Sequence, residues 1–380
     1  MNVETRSTSL LHHVAGPVGI AILNRPAVLN VIDMGLIKSL YAQLEAWRVD
    51  PAITAVVVRG AGERAFCAGG DVRAVYEQRG DDTFMHEVYR VEYVLDDAIA
   101  RYSKPYIALM SGIVMGGGCG ISVHGSHRVV TETTQIAMPE CRIGLFPDIG
   151  ASWFLARCPG ELGLYLGLTG TRIGAADALY LWLADYLVPA ERLGEIVPAL
   201  AQGKTANAVL AELSTFSRSP HERSEMRESP APDFADAHPG YKRSGAPPLS
   251  ALRNDLDAVF GLGSVRDIIA ALESHPQPWA RQAHADMLAA CPLSLELTFR
   301  AISEGRTKTL RDCLVTDFRI AQRLMRRNDY FEGVRARIID KDNRPRWTHN
   351  SVEEVSAEEV EEFFAPLGAA ELRFDAAQAH

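Results

Sequence analysis

Two carboxylates lie in a short proline-containing stretch of the sequence: Glu140 follows Met138-Pro139, and Asp148 follows Phe146-Pro147. The apolar side chains and stiff backbone beside each acid favour partly buried carboxylates with perturbed pKa values, as general acid–base catalysis requires. The alternative for each residue is a helix cap or a surface loop charge. The spacing of the two acids leaves both interpretations open.

Two loops of small residues precede these acids. Cys67-Ala68-Gly69-Gly70-Asp71 and Gly116-Gly117-Gly118 each follow an apolar run and open a helical pattern. Backbone N–H groups from two such loops can converge on a developing oxyanion, and each donor in such a hole typically lowers the barrier by about 2.7–4 kcal/mol. A thioester carbonyl, whose oxygen gains negative charge when its carbon is attacked, could bind between two such donors. The alternative for Gly116-Gly117-Gly118 is tight packing of a strand–helix turn. The loop at Cys67–Asp71 matches neither a GxGxxG nor a P-loop motif.

An α/β framework is predicted around these loops and acids. Apolar runs at Val14–Leu23, Ile53–Arg59 and Pro105–Met110 are typical of strands, and helical spacing occurs at Val31–Trp47 and Phe84–Tyr102. The alternation of strand and helix favours an α/β domain. Helical patterns return in the last third of the chain, at Val265–Leu272, Trp279–Leu288, Leu293–Ser303 and Leu310–Met325, with a helical tail expected over Ile338–Trp347 and Glu353–Phe364.

The composition of the chain changes near Gly203. Residues 214–249 are crowded with Ser, Pro and charged residues and have little apolar periodicity. We therefore predict a catalytic core over 1–202, a flexible linker or insertion over 203–250, and a helical region over 251–380.

Overall charge and hydropathy exclude several classes of protein. The net charge of −9 argues against a nucleic-acid binder, and 47% hydrophobic with 23% charged residues is typical of a soluble globular protein. No apolar run reaches membrane-span length, and no secretory signal is recognisable, so we expect a cytoplasmic protein without a membrane partner.

The cysteines and histidines do not point to a metal centre. The six cysteines form no CxxC pair or Cys/His metal spacing, which predicts reduced thiols, and Cys67 and Cys119 are expected to be small core residues. His124 and His127 have no carboxylate at a spacing that completes a metal set, so polar packing is the better interpretation.

Three motifs together suggest a family. AFCAGGDVR, SGIVMGGGCGISVHG and AMPECRIGLFPDIGASWFL resemble the crotonase (enoyl-CoA hydratase/isomerase) superfamily. SLELTFRAISEGRTKTL and DYFEGVRARIIDKDNRPRW are similar to its 3-hydroxyisobutyryl-CoA hydrolase branch. The resemblance covers nearly the whole chain outside 203–250. It implies an α/β fold in which a crotonase-type spiral of ββα units encloses an acyl-CoA pocket, with a helical C-terminal region.

The resemblance also implies roles for individual residues. The N–H groups of Gly70 and Gly117 would form the oxyanion hole, with Glu140 as nucleophile or as general base on water. Asp148 would orient the acyl hydroxyl or share in proton transfer. The further candidates are substrate-binding residues: Glu92 at the acyl pocket, the loop residues Ala68, Gly69 and Asp71, and Arg25 for a CoA phosphate, with a surface salt bridge as the alternative for Arg25.

Gly120 separates the reactions expected within the superfamily. Similar enoyl-CoA hydratases carry a glutamate at this position and a second one at the position of Glu140, whereas Gly120 has no side chain to activate water. We therefore expect hydrolysis of a short 3-hydroxyacyl-CoA, 3-hydroxyisobutyryl-CoA or 3-hydroxypropionyl-CoA, to free acid and CoA in valine catabolism. The alternatives are a hydratase/isomerase reaction and a non-catalytic acyl-CoA-binding protein.

The resemblance implies no metal or redox cofactor, because CoA arrives as part of the substrate. The acyl-CoA is the expected partner, and a homo-oligomer is left open.

Overall fold

The computed structural model describes residues 9–217 and 247–374, which fall into two compact units. As far as the described residues cover them, the first unit draws on Met1–Gly70, Ala98–Gln135 and Ala184–Pro230, and the second on Asp71–Asp97, Ile136–Leu183 and Ala231–His380. Each unit therefore combines stretches that are distant in sequence. The division at 1–202, 203–250 and 251–380 stays a prediction, and most of the predicted linker, residues 218–246, lies outside the described residues.

The first unit is built on a seven-stranded sheet. The strands of the described residues are β1 (Leu10–Ala15), β2 (Val18–Leu23), β3 (Ala55–Gly60), β4 (Ala65–Cys67), β5 (Tyr106–Met110), β6 (Ile113–Met115), β7 (His127–Val130), β8 (Gln135–Ala137), β9 (Tyr186–Leu187) and β10 (Phe216–Ser217). The sheet has the order β1-β2-β3-β5-β7-β9-β10. Its inner pairs are parallel and its two edge pairs are antiparallel.

The register of the sheet aligns its core side chains. Ile20 lies beside Val57, and Val57 lies beside Ile107. All three are buried in one apolar cluster of this unit, which also contains Ile196 and Val209. These β-branched residues fit a pleated, buried surface, which explains why the apolar runs form strands.

A second strand pair in the first unit positions the glycine loops. Strands β4 and β6 are paired in parallel. Because parallel strands end at the same edge of a sheet, the loop after Cys67 and the loop after Met115 begin side by side.

The α-helices within residues 9–217 and 247–374 are α1 (Met34–Val49), α2 (Val72–Glu77), α3 (Asp82–Ala100), α4 (Gly117–Val123), α5 (Ala151–Phe154), α6 (Leu162–Thr169), α7 (Ala175–Tyr180), α8 (Ile196–Ala201), α9 (Ala206–Leu213), α10 (Leu249–Phe260), α11 (Val265–Ser274), α12 (Pro278–Leu288), α13 (Pro292–Gly305), α14 (Leu310–Leu324), α15 (Asn328–Val334) and α16 (Ala357–Phe364). Short 3₁₀ turns lie at Pro26–Val28, Glu140–Ile143, Leu155–Arg157, Ala190–Glu195, Val352–Glu354 and Gly368–Ala370. None of the helices in the described part of the chain is long and apolar enough to cross a membrane.

Side-chain caps set several helix starts. Asp33 accepts a hydrogen bond from the N–H of Leu36 at the start of α1. At the start of α14, Thr309 and Asp312 form a reciprocal capping box. Such caps satisfy N–H groups that have no acceptor within the helix.

The second unit is largely helical. Helix α13 packs against α5 and α6, and α14 packs against α5 and α16. Helix α13 buries Leu293, Leu297 and Ile302, as its apolar periodicity predicts. The predicted helices over 265–325 are confirmed as α11 to α14, with small differences at their ends.

The prediction of a helical tail is only half correct. Glu353–Phe364 contains α16, but Ile338–Trp347 contains no α-helix. Helix α15 is followed by a π-helical turn at Arg335–Ile339, and the chain then becomes irregular. Lys341 and Asn343 have φ angles of 59° and 55°, which a right-handed helix cannot accommodate.

Candidate active site

The two glycine loops of the first unit are in close contact. A Cβ atom placed on Gly118 would lie 2.3 Å from the carbonyl oxygen of Cys67. A Cβ atom on Gly69, whose φ is +113°, would lie 3.3 Å from the carbonyl oxygen of Met115. Only glycine permits this approach of backbone to backbone, which brings the two predicted oxyanion loops together.

The N–H groups of Gly70 and Gly117 are placed differently by their local structure. Ile32 and Gly70 form an isolated parallel β-bridge. In it, the N–H of Ile32 donates to the carbonyl oxygen of Gly69 at 2.9 Å, so the bridge does not use the N–H of Gly70. Gly117 is the first residue of α4, where an N–H has no acceptor within the helix. Both groups thus have the local placement of potential anion donors, and their role stays a prediction.

Replacing Gly118 with Ala is expected to separate the loops. The new methyl group would overlap the Cys67 carbonyl, so α4 must shift away from β4. Because a displacement of about 1 Å at a reacting centre can cost about 10²-fold in rate, we expect kcat to fall by about that factor. Overpacking should also lower the free energy of unfolding by about 1–3 kcal/mol. Steady-state kinetics and denaturant unfolding measure the two effects.

Gly194→Ala is the matched control, because a Cβ atom there meets nothing within 4 Å. This variant should keep wild-type kcat and stability. Wild-type kcat in Gly118→Ala would show that the contact between the loops is irrelevant to turnover.

Five buried carboxylates of the second unit, each at most 6% exposed, have raised pKa values: Glu92, Asp96, Glu140, Asp148 and Asp317. Burial is the largest cause of a raised pKa in every one of them. The charge of Asp148 raises the pKa of each of the other four. Asp148 is therefore the electrostatic centre of what we call the acid cluster, defined by these five residues.

Asp148 is held by the turn that leads into α5. Its carbonyl oxygen accepts a hydrogen bond of 2.8 Å from the N–H of Ala151. Its side chain accepts one of 2.6 Å at Oδ2 from the hydroxyl of Tyr93. Burial raises the pKa of Asp148 to about 6, although the Tyr93 hydrogen bond works in the opposite direction. Asp148 is thus largely ionised at neutral pH.

Glu140 opens a 3₁₀ turn after Pro139, and its carbonyl oxygen accepts from the N–H of Leu145 at 3.1 Å. Within the described residues, its buried side-chain atom Oε2 has no hydrogen-bond partner. Burial, and then the charge of Asp148, raise the pKa of Glu140 well above its usual value. An unpartnered, buried carboxyl of this kind is available to react with a bound substrate.

Glu92 and Asp96 lie one turn apart on α3. Burial and then the charge of Asp148 raise the pKa of Glu92 to about 8, so this group is mostly protonated at neutral pH. Both side-chain oxygens of Asp96 are buried without a partner in the described residues. Burial raises the pKa of Asp96 well above its usual value, and the charge of Glu92 adds to this.

Asp317 of α14 braces the turn that carries Asp148. Its Oδ2 accepts from the N–H of Gly150 at 2.9 Å, and its Oδ1 accepts from the hydroxyl of Ser152 at 2.8 Å. Asp317 therefore stabilises the start of α5 directly after Asp148, as a capping carboxylate does.

The remaining predicted site residues have local structural partners. Asp71 caps α2 by accepting from the N–H of Ala74. Arg25 forms an ion pair of 3.2 Å with Asp33 and donates to the carbonyl of Val31. This is the alternative that was left open for Arg25, and its contact with CoA stays a prediction.

The expectations for histidine and cysteine packing fit the structure. His127 is hydrogen-bonded to Asn207 at 3.0 Å and to Ser126 at 2.9 Å. Cys67 and Cys119 are buried thiols, and the other four cysteines are buried as well. No cluster with metal-ligand geometry occurs within residues 9–217 and 247–374.

The sequence analysis did not identify three residues that surround Asp148: Tyr93, Asp96 and Asp317. Asp96 and Asp317 each lie within an apolar helical stripe, next to Leu95 and Phe318. A carboxylate at a core position of a helix is the signal that could have identified both. Tyr93 has no such signal, because a tyrosine on a buried face is ordinary.

Comparison with known proteins identifies similar chains. The family model described as enoyl-CoA hydratase/isomerase matches residues 18–364. The chain is 39% identical over 359 residues to the mitochondrial 3-hydroxyisobutyryl-CoA hydrolase of Gallus gallus, covering 94% of this chain and 89% of that protein. It is 34% identical over 395 residues to the Homo sapiens protein of the same description, covering 98% and 97%.

Two solved structures are similar over nearly the whole chain. One is described as an enoyl-CoA hydratase from Rhodobacter sphaeroides 2.4.1, with a TM-score of 0.84 and 36% identity, covering 96% of this chain and 100% of that one. The other is described as a carnitinyl-CoA dehydratase from Mycobacterium thermoresistibile, with a TM-score of 0.85 and 35% identity, covering 97% and 100%. The predicted fold class, with its helical C-terminal region, is confirmed.

Proposed function

The chain belongs to the enoyl-CoA hydratase/isomerase (crotonase) family, and we propose that it hydrolyses a short 3-hydroxyacyl-CoA thioester, foremost 3-hydroxyisobutyryl-CoA, to the free acid and CoA. The observation that carries this proposal is the pairing of Glu140 with Asp148 in one buried acid cluster, where the charge of Asp148 raises the pKa of Glu140. The names of the curated relatives support the same reaction.

The glycine loops are proposed to stabilise the oxyanion. As the thioester carbonyl is attacked, its oxygen gains negative charge, and the N–H groups of Gly70 and Gly117 would donate to it. Gly117 lies at the N-terminus of α4, where the helix dipole favours negative charge on the bound oxygen. Ala68, Gly69 and Asp71 would line the same loop, where small residues let the backbone approach the substrate.

Glu140 is proposed as the reacting carboxylate by one of two routes. As a nucleophile, it would form a bond to the acyl carbon and expel the CoA thiolate, and water would then cleave the resulting anhydride. As a general base, it would take a proton from water while that water attacks the acyl carbon. Both routes consume one water and end with a free acid and a CoA thiol, and both need Glu140 ionised.

Asp148 is proposed to accept a hydrogen bond from the hydroxyl of the acyl group. Its carboxylate is largely ionised at neutral pH, which suits an acceptor. Glu92, mostly protonated at the same pH, would line the acyl pocket as a donor. This difference in protonation between two neighbouring carboxyls favours a hydroxylated acyl group over an unsubstituted one.

The proposal also covers the cofactor requirement, the pathway and the compartment of the protein. We propose that the reaction needs no metal or redox cofactor, that it belongs to valine catabolism, and that the protein acts in the cytoplasm. The relatives from Gallus gallus and Homo sapiens carry mitochondrial names. Assembly into a homo-oligomer and the binding of CoA phosphate by Arg25 stay predictions.

A second candidate reaction is the hydration of an enoyl-CoA. It is favoured by the description of a solved structure that is 36% identical as an enoyl-CoA hydratase. Against it stands Gly120, which is buried within α4 and offers no carboxylate to activate water.

An acyl-CoA panel tests the proposal. The purified protein is incubated with 3-hydroxyisobutyryl-CoA, 3-hydroxypropionyl-CoA, isobutyryl-CoA and crotonyl-CoA, and free thiol and enone absorbance are followed together. We expect thiol release from the hydroxylated substrates, with kcat/KM at least about 10²-fold above that for isobutyryl-CoA, because a site built for a hydroxyl rejects the analogue that lacks it.

Loss of enone absorbance without thiol release would favour the hydratase instead. Binding of every acyl-CoA without turnover would favour a non-catalytic binding protein.

A further inference from the structure

The contact between Tyr93 and Asp148 is one feature of the second unit that the proposed reaction does not use. The Tyr93 hydroxyl donates to Oδ2 of Asp148 at 2.6 Å. No other side chain among the described residues donates to this carboxylate. Tyr93 therefore occupies one oxygen of Asp148 and leaves the other, Oδ1, free of side-chain donors.

The ring of Tyr93 is buried and packed against two other aromatic rings. Tyr93 is fully buried, with 0% of its surface exposed. Its ring makes an edge contact with Phe318 at a centroid distance of 6.1 Å and another with Tyr89 at 6.0 Å. Such aromatic contacts restrict the ring, so the hydroxyl has a defined position towards Asp148.

The ionisation of Asp148 depends on several elements packed around it. The groups that interact electrostatically with it are Tyr89, Glu92, Tyr93 and Asp96 of α3, Glu140 of the 3₁₀ turn, Asp317 of α14 and Tyr330 of α15. None of these groups is a cation. Within this set, only the Tyr93 hydroxyl favours the ionised form of Asp148 through a side-chain hydrogen bond.

Tyr93 itself stays a donor. Burial, and then the charge of Asp148, raise the pKa of Tyr93 well above its usual value. The phenol therefore keeps its proton over the working pH range and can always donate it to the carboxylate.

We propose that Tyr93 is a positioning residue for the acyl-hydroxyl acceptor: it binds Oδ2 of Asp148, keeps that carboxylate ionised, and leaves Oδ1 to accept from the 3-hydroxyl of the substrate. The part that concerns substrate rests on the proposed function. The part that concerns the ionisation of Asp148 stands on the geometry of the ligand-free protein.

Tyr93→Phe tests both parts with separate measurements. The variant keeps the ring and its edge contacts and removes only the donor. The matched control is Tyr102→Phe, which removes a hydroxyl that donates to the carbonyl of Leu44 at 2.8 Å, outside the acid cluster. Thermal unfolding checks that both variants are folded.

The first measurement needs no substrate. Protein labelled with ¹³C at the aspartate carboxyl is titrated by NMR, and the Asp148 signal is identified by its loss in Asp148→Asn. Because a hydrogen bond to the charged form favours that form, its removal should raise the Asp148 midpoint by about one pH unit. The midpoint should not move in Tyr102→Phe. An unchanged midpoint in Tyr93→Phe overturns the proposal.

The second measurement compares kcat/KM for 3-hydroxyisobutyryl-CoA and isobutyryl-CoA. We expect Tyr93→Phe to lose about tenfold on the hydroxylated substrate, about the value of one hydrogen bond, and little on the other. An equal loss on both substrates would indicate a merely structural role and overturn the substrate part. If the wild-type protein releases no thiol from any acyl-CoA, the proposed function fails, while the NMR midpoint still decides the role of Tyr93 towards Asp148.

Discussion

Glu140→Gln is expected to lower kcat for thiol release by roughly 10³-fold or more, because the amide can neither attack the thioester nor take a proton from water. The substitution keeps the size of the side chain and removes a carboxyl whose pKa is already raised by burial and by Asp148. KM should change little if Glu140 acts only on the reacting atoms. Steady-state kinetics with 3-hydroxyisobutyryl-CoA measure both constants.

The matched control for Glu140→Gln is Glu296→Gln. Glu296 lies on α13 and is partly buried. Burial raises its pKa to about 7. The charged groups that interact with it are Arg266 and Glu353, which lie outside the acid cluster. This variant should keep wild-type kcat. If Glu140→Gln retained most of its turnover, Glu140 would not be the reacting carboxylate.

The pH dependence of the wild-type enzyme gives a second check on Glu140. The residue must be ionised to react, and burial raises its pKa well above 4.5. Turnover should therefore rise with pH through that raised pKa and fall as the solution is acidified. A rate that stays constant down to pH values near 4.5 would contradict this role.

Glu92→Gln is expected to stabilise the protein in a pH-dependent way. In the folded protein, burial and the charge of Asp148 raise the pKa of Glu92 from 4.5 to about 8. Between these two values the folded state binds more protons than the unfolded chain, so wild-type stability falls as pH rises. A neutral Gln removes this loss. At about 1.4 kcal/mol for each pKa unit, the difference at high pH is on the order of 5 kcal/mol.

Denaturant unfolding at the two ends of this window measures the effect. The free energy of unfolding of Glu92→Gln should be close to that of the wild type near pH 4.5 and clearly higher near pH 8. The matched control is Glu77→Gln on α2, where the side chain is exposed and the difference from wild type should be small at both pH values. A stability difference that does not depend on pH would show that Glu92 is ionised in the fold.

The expected gain in stability suggests a trade-off at the proposed site. A buried glutamate without a cationic partner is costly for folding. Proteins retain such groups where function requires them, so a more stable Glu92→Gln variant should also be a poorer catalyst for the hydroxylated substrate.

Local signals in the sequence determined most of the framework. The apolar runs predicted three inner strands, β2, β3 and β5, and the spacing at Leu293–Ser303 and Leu310–Met325 predicted α13 and α14. These signals are local, because a strand or a helix shows its period within its own residues. The tail was the exception: Ile338–Trp347 was predicted as part of a helical tail, but left-handed backbone at Lys341 and Asn343 is incompatible with a right-handed helix there.

The sequence by itself also singled out the candidate reacting residues. The glycine loops, Glu140 and Asp148 were identified from residue types and motifs, and the absence of a side chain at Gly120 separated hydrolysis from hydration. The comparisons confirm the family, whereas the roles of the individual residues stay predictions.

Only the tertiary structure decided the surroundings of these residues. Tyr93, Asp96 and Asp317 come from two helices that are distant in sequence, and they meet around Asp148 in the second unit. In the first unit, the contact of Gly118 with the Cys67 carbonyl is likewise a long-range feature. The physical reason is that desolvation and charge–charge interaction depend on what packs around a group in space, and no local sequence period records that packing.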